Sequence, residues 1–297
     1  MRRFQSLVLS LLIGAPTAGL AQARPTARDV VAQIRQHIGV PWADQTVDTF
    51  KDGDSTTTVT GIAVTMMATL DVLQRAAAAG ANLVITHEPT FYDHFDRIDL
   101  LEREGDAVTA AKRAFIRDHR MVVVRMHDHW HRRHPDGIAI GMARALQWEQ
   151  YRDSASEYRF TLPATSLGAL AATIRQRLHS PTLRVVGDSN QRVSRIAFVP
   201  GAAGFELQRH AIQPGDVDVL VIGEAREWET VEYVADAVSA GQKKGMIIIG
   251  HIPSEQAGMD EFARWLRTFV KDVPVSFVPA ADPFWSPKQG AAARPSR

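Results

Sequence analysis

Three short apolar runs, each stopped by a histidine and a carboxylate, limit the folds open to this chain more than any other feature. The first is Leu83 to Ile85, which ends in Thr86-His87-Glu88-Pro89. Its length and β-branching are those of a buried strand, and Pro89, with no N–H for a ladder, stops it. Met121 to Met126 runs into His127-Asp128-His129-Trp130-His131, and Met246 to Gly250 runs into His251-Ile252-Pro253-Ser254-Glu255. In open α/β sheets ligands gather outside the carboxyl ends of the strands. Three such strands in one sheet would turn imidazoles and carboxylates toward one crevice, and a metal centre is the economical reading.

The donor chemistry narrows what such a centre holds. Cysteine is absent from the 297 residues. Disulfides, thiolate nucleophiles and thiolate-held metals are therefore excluded, and any ion rests on imidazole and oxygen, a set suited to zinc, iron, manganese, cobalt or nickel. No G-x-S-x-G serine motif is present either. Lys plus Arg (34) nearly cancel Asp plus Glu (33), with no basic stripe among aromatics, so nucleic acid is not an expected partner. The start of the chain reads as a signal peptide over residues 1–23. Arg2 and Arg3 supply its charge, Leu7 to Ile13 its apolar stretch, and Ala21-Gln22-Ala23 a small-x-small cleavage site. A soluble periplasmic or secreted protein starting at Arg24 is expected, since no apolar stretch is long enough to span a bilayer.

Taken in order, the pattern alternates between the helical and the strand period. Arg28 to Ile38 is a helix closed by Gly39, Asp44 to Ser55 a polar stretch, Val59 to Val64 a strand, and Ala68 to Ala79 a helix with Leu70, Leu73 and Ala77 on one stripe. Strand, helix and the Leu83 run make a βαβ unit, hence a parallel pair. Asp93 to Arg103 reads as a loop beside the site, Glu104 to His119 as a helix with Val108, Ala111 and Phe115 inward, and Gly137 to Leu146 as another helix. Gln147 to Tyr158 marks a boundary. Beyond it Ser166 caps a helix through Leu178, strands fall at Leu183 to Val186, Arg195 to Val199, Val217 to Ile222 and Val275 to Val278, and helices at Glu227 to Ala240 and through Phe262, Leu266 and Phe269. The expected fold is α/β, with two linked α/β halves over 24–150 and 151–287, mixed but largely parallel sheets, a metal crevice at the strand carboxyl ends, and a flexible tail over 288–297.

Each feature also has a plainer reading. A lone buried histidine is more often structural than a ligand, and the clustering of several at strand ends is what tips the balance. His251 and Glu255 stand four apart at a helix start marked by Pro253, so both can lie on one face. The turn Pro200-Gly201-Ala202-Ala203-Gly204 could offer N–H groups to an anion, although such turns are usually just tight. Glu224, after the strand end at Gly223, could edge the crevice, whereas Glu227 and Glu229 read as a solvated helix face.

The stretches Val59-Thr60-Gly61-Ile62-Ala63-Val64, Gly80 to His87, Gly223-Glu224 and Gly250-His251-Ile252-Pro253-Ser254-Glu255 resemble the Nif-three-like dinuclear-metal family, long labelled type 2 homologues of GTP cyclohydrolase I. Carried over by position, the resemblance implies metal ligands at His87, Glu88, His127, His131, His251 and Glu255. Glu88 stands where the family has a second histidine, and His131 where it has an aspartate. Asp128 or His129 would orient a ring. The resemblance further implies two divalent transition-metal ions between the halves and a homo-oligomer in the form of a toroidal hexamer. Two ions can activate a water and clamp a phosphoryl or acyl oxygen, so a hydrolase using a metal-bound hydroxide on a small-molecule substrate is the first expectation. A non-enzymatic metal-binding or scaffold ring is the alternative, and ring hydrolysis of the cyclohydrolase kind a third.

Overall fold

The computed structural model describes residues 24–287, so the expected leader (1–23) and tail (288–297) lie outside the described residues. Helix α1 (Ala27–His37) begins on Thr26, whose hydroxyl accepts from the Asp29 N–H while the Asp29 carboxylate takes the Thr26 N–H. There follow β1 (Phe50–Asp52), β2 (Ile62–Thr65), α2 (Leu70–Ala78), β3 (Leu83–Thr86), α3 (Asp99–Arg103), α4 (Ala107–Asp118) and β4 (Val122–Arg125). The short α5 (Asp128–His131) and α6 (Gly137–Ala145) come next. The chain continues through β5 (Arg159–Ser166), α7 (Leu167–Leu178), β6 (Arg184–Val186), β7 (Arg192–Val199), α8 (Phe205–Ile212) and β8 (Val219–Ile222). A π-helical turn at Glu227–Val231 leads into α9 (Glu232–Ser239), and β9 (Gly245–Ile248), α10 (His251–Leu266) and β10 (Val275–Phe277) complete it.

Two five-stranded sheets result. The first runs β1-β4-β3-β2-β10 and is parallel except for β1. The second runs β5-β7-β8-β9-β6, with β5 and β6 antiparallel on its edges. Strands β2, β3, β4, β8 and β9 are buried along their whole length, as expected of parallel strands covered on both faces. Alternation still decides which face each side chain serves. Val64, Leu83, Ile85 and Val124 join Val219, Val221, Met259 and Phe262 in one core shared by both sheets. Ala63, Val84 and Val123 turn the other way onto α2 and α4, and Leu220, Ile222 and Met246 onto α8 and α9.

The third apolar run corrects the single-sheet expectation: β9 pairs with β8 in the second sheet, while β3 and β4 lie in the first. Period and composition do not encode which sheet a strand joins. Sheet membership here depends on long-range pairing, and β10 shows the same by returning to β2 in the first sheet. Helix α4 also differs in its inward face, which carries Thr109, Lys112 and Ile116, whereas Val108 stays 62% exposed. Lys112 buries its stem and donates from Nζ to the Thr90 carbonyl at 2.6 Å, a role that a count of apolar residues overlooks. Strand β1 arises within the expected polar stretch and β5 just after the expected boundary, in residues given no strand, because both are partly exposed edge strands without an apolar run. Within the expected loop Asp93 to Arg103, α3 is a short helix that buries nothing.

Helices α6 and α10 cross closely in the shared core. A Cβ on Gly141 would lie 2.3 Å from the Ala257 carbonyl oxygen, and one on Gly258 would lie 2.5 Å from Ile138 Cα. Glycine at both positions lets the two backbones meet, which brings the start of α10 beside the segment that precedes α6.

Candidate metal centre

That crossing gathers the three histidine-bearing segments. His87 and Glu88 leave the end of β3, His127 follows β4, His131 closes α5, and His251 and Glu255 share one face of the first turn of α10. The imidazoles of His87, His127 and His131 offer atoms that lie within 4.8 Å of one another, as do His87, Glu88 and Glu255, so either group could hold a metal ion. His251 Nε2 completes the cluster, 3.3 Å from Glu88 Oε1 and 3.2 Å from Glu255 Oε2.

All four rings are held the same way. Nδ1 of His87 faces the Met126 carbonyl at 3.1 Å, and Nδ1 of His127 faces Asp128 Oδ1 at 3.0 Å. Nδ1 of His131 meets Asp136 Oδ2 at 2.8 Å, and Nδ1 of His251 meets Glu224 Oε1 at 3.0 Å. Each partner can only accept, so each Nδ1 carries a proton and donates it, and Nε2 points inward as the atom that would face an ion. This is the outer-shell arrangement that fixes the tautomer of metal-ligating histidines.

The carboxylates bridge between rings. Glu255 sets Oε1 at 4.0 Å from His131 Nε2 and Oε2 at 3.6 Å from His87 Nε2, while Glu88 Oε1 lies 3.8 Å from His127 Nε2. Glu88 Oε2 in turn receives Arg125 Nη2 at 3.3 Å. His87 Nε2, His251 Nε2 and Glu255 Oε2 are all buried without a hydrogen-bond partner. The close approach of His251 to Glu255 is thus a charge contact rather than a hydrogen bond. Buried polar atoms left in this way are costly unless something binds them. Donors about 2.0–2.2 Å from one ion sit about 3–3.5 Å apart in tetrahedral geometry, close to the separations around Glu255. An imidazole and carboxylate set with three such orphaned atoms fits a divalent transition metal.

The electrostatics call for positive charge at the same place. Burial holds the His87 pKa well below the ordinary value, and the neighbouring His127 and His131 rings push the same way. A neutral His87 is in the protonation state that a ligand needs. Burial alone would raise the Glu88 pKa, but the close His251 Nε2 and the charges of the surrounding imidazoles hold it below the usual carboxylate range. Burial likewise disfavours charge on His251, and the carboxylates of Glu224, Glu255 and Glu88 outweigh it and push the ring up to about 12. Those carboxylates would favour a bound cation for the same reason.

All six residues singled out from the sequence meet here. His129 does not join them: its Nδ1 meets Asp48 Oδ2 at 2.6 Å, its Nε2 accepts from the Ala43 N–H, and its ring stacks on Trp42. Asp128 is the residue that orients a ring. Of the three glutamates flagged after β8, Glu224 reaches the crevice, while Glu227 and Glu229 pair on the surface with Arg184 and Arg226. In the turn after β7, Gly201 adopts φ +63°, and a Cβ there would lie 2.5 Å from Glu255 Oε1, so the turn is small because it closes over the site.

Sequence reasoning missed three supports. Asp136 caps α6 through Oδ1, accepting from the Ile138 and Ala139 N–H groups, while Oδ2 takes His131 and the Tyr158 hydroxyl. Asp48 accepts from the backbone N–H groups of His127, Asp128 and His129 and so sets the turn that carries the ligands. Arg125, fully buried, donates to the carbonyls of His87 and His94 as well as to Glu88. A charged residue ending the apolar run Val122 to Val124 was the available signal, because such a group is rarely buried without partners.

The fold and site together define a class: a two-sheet α/β protein with a buried histidine and carboxylate cluster formed jointly by β3, β4 and α10. The chain matches the family model for Duf34/NIF3 (NGG1p interacting factor 3) over residues 42–283 and belongs to that family. A Staphylococcus aureus protein described as a GTP cyclohydrolase 1 type 2 homolog is 38% identical over 68 residues, which make up 23% of this chain and 18% of the relative. The match therefore spans less than a fifth of that relative's length. Among solved structures, a hypothetical protein from Staphylococcus aureus aligns with TM-score 0.69 at 19% identity, covering 89% of this chain and 99% of its own. A Bacillus cereus protein related to NIF3 aligns with TM-score 0.67 at 13% identity, covering 89% and 100%. At these identities the likeness is one of fold.

Proposed function

We propose that the crevice binds two divalent transition-metal ions and that the protein is a metal-dependent hydrolase. The observation that carries this reading is the convergence of four imidazole Nε2 atoms, each tied at Nδ1, on Glu88 and Glu255, with His87 Nε2, His251 Nε2 and Glu255 Oε2 buried without partners. The ions would supply Lewis acidity and activation of water. Glu255, with one oxygen toward His131 and the other toward His87 and His251, would hold the ions together with Glu88 and the imidazoles. Glu88 is oriented by Arg125, and its lowered pKa suits a ligand better than a general base near neutral pH. Gly201 and its turn bring the wall of the second sheet against Glu255.

Elemental analysis of protein purified without chelator should find about two transition metals per chain. His251→Ala should lose metal while keeping the fold, and full retention of metal in both His87→Ala and His251→Ala would refute the centre. A screen of phosphoesters, amides, esters and nucleotides with metal-loaded protein, run beside His251→Ala, tests the activity; turnover no greater than the mutant's in every class would refute the hydrolase reading. Export, with the mature chain starting near Arg24, and assembly as a ring of six belong to the same proposal.

A further inference from the structure

A cavity of about 630 Å³ opens from the candidate metal centre, well within the range of small-molecule sites. Glu88, His127, His131, His251 and Glu255 form one end of it. A neighbouring wall comes from the end of β7, the turn after it and α8, and is largely apolar: Phe198, Val199, Pro200, Ala203, Leu207 and Ala211, with His210 beside them. Leu207, on this lining, is 57% exposed, and an apolar ligand there would cover part of it. Both arginines on the lining have partners, Arg159 through Nη2 alone. Arg125 spends its donors on the His87 and His94 carbonyls and Glu88, and Arg159 pairs with Asp216 at 2.5 Å. A polyphosphate is normally met by uncommitted Lys or Arg donors, and this wall presents apolar surface instead.

We propose that the substrate is a carboxylic ester or amide whose apolar acyl or aryl body lies along the wall of β7 and α8, with its carbonyl at the histidine and carboxylate end. The proposal rests on the hydrolase reading above and adds the substrate class. In the reaction the oxygen of water bonds to the carbonyl carbon and the C–O or C–N bond breaks. One proton of the water leaves on the alcohol or amine, and the acid product gives up the other.

The test is binding rather than turnover. Hydroxamates from acetohydroxamate to octanohydroxamate, and GTP as the polyphosphate comparison, are titrated calorimetrically into metal-loaded protein, with metal content measured in each sample. Affinity should rise roughly two- to fourfold per added methylene until the wall is covered, in keeping with the burial of CH₂ groups. Leu207→Asp should flatten the series and Leu207→Met should keep it; an unchanged melting temperature in both shows that the fold is intact. A flat series in the unsubstituted protein, or GTP binding more tightly than octanohydroxamate, overturns the substrate class while leaving the metal centre standing. Protein that takes up no metal overturns the hydrolase reading and this proposal with it.

Discussion

At the scale of single residues, the site is built from side chains that each serve two partners. Asp136 is the clearest case, since one oxygen caps α6 and the other holds His131. Asp136→Asn keeps an oxygen for the cap but weakens the charged partner of the ring. Metal affinity measured against a competing chelator should drop about 10- to 100-fold, as when such outer partners are lost elsewhere; an unchanged affinity would show that His131 is not a ligand. Lys112 makes a pH prediction. Burial lowers its pKa from 10.5 to about 8, against a smaller opposing pull from Asp96. Between those values the unfolded chain holds more protons than the folded one, so stability should rise as pH increases from about 8 to 10.5. The gain is at most about 3.4 kcal/mol. Lys112→Met should remove that rise in urea titrations at pH 7.5, 9 and 10.5, and a slope equal to that of the unsubstituted protein would contradict the assignment.

Among the elements, the crossing of α6 and α10 decides whether the site exists, because it docks the start of α10 against the His127 to His131 segment. Gly258→Ala places a Cβ 2.5 Å from Ile138 Cα, against backbone that has nowhere to go. A loss of about 1–3 kcal/mol is expected from such overpacking, with metal affinity falling as His251 and Glu255 shift. Gly215→Ala, where a Cβ would meet nothing within 4 Å, is the control and should stay within about 0.5 kcal/mol. Equal melting temperatures for the two variants would mean that the crossing tolerates a methyl group and does not set the geometry.

For the whole molecule, the two sheets share one core, and the crevice between them draws its imidazoles and carboxylates from segments far apart in the chain, after β3 and β4 and at the start of α10. Light scattering on purified protein tests the proposed ring: six copies of the chain are expected, and a monomer at micromolar concentration would remove that part of the proposal. Sequencing the amino terminus of protein recovered from periplasm or medium tests export. The expected first residue is near Arg24, and intact Met1 on cytoplasmic protein would count against it.

Strand-terminal chemistry is a local property, and the sequence by itself determined it. Apolar runs such as Leu83 to Ile85 must be buried, Pro89 must end the ladder, and the absence of cysteine leaves imidazole and oxygen as donors. The α/β class and the position of His87, Glu88, His251 and Glu255 at element ends follow from those facts. Only the tertiary structure decided which sheet each run joined, because pairing of β9 with β8 and of β10 with β2 depends on partners distant in the chain. It alone also decided which nitrogen of each ring faces inward, through Asp128, Asp136, Glu224 and the Met126 carbonyl. Those acceptors come from loops and caps whose sequences carry no period, and a hydrogen bond across the fold leaves no trace in local spacing.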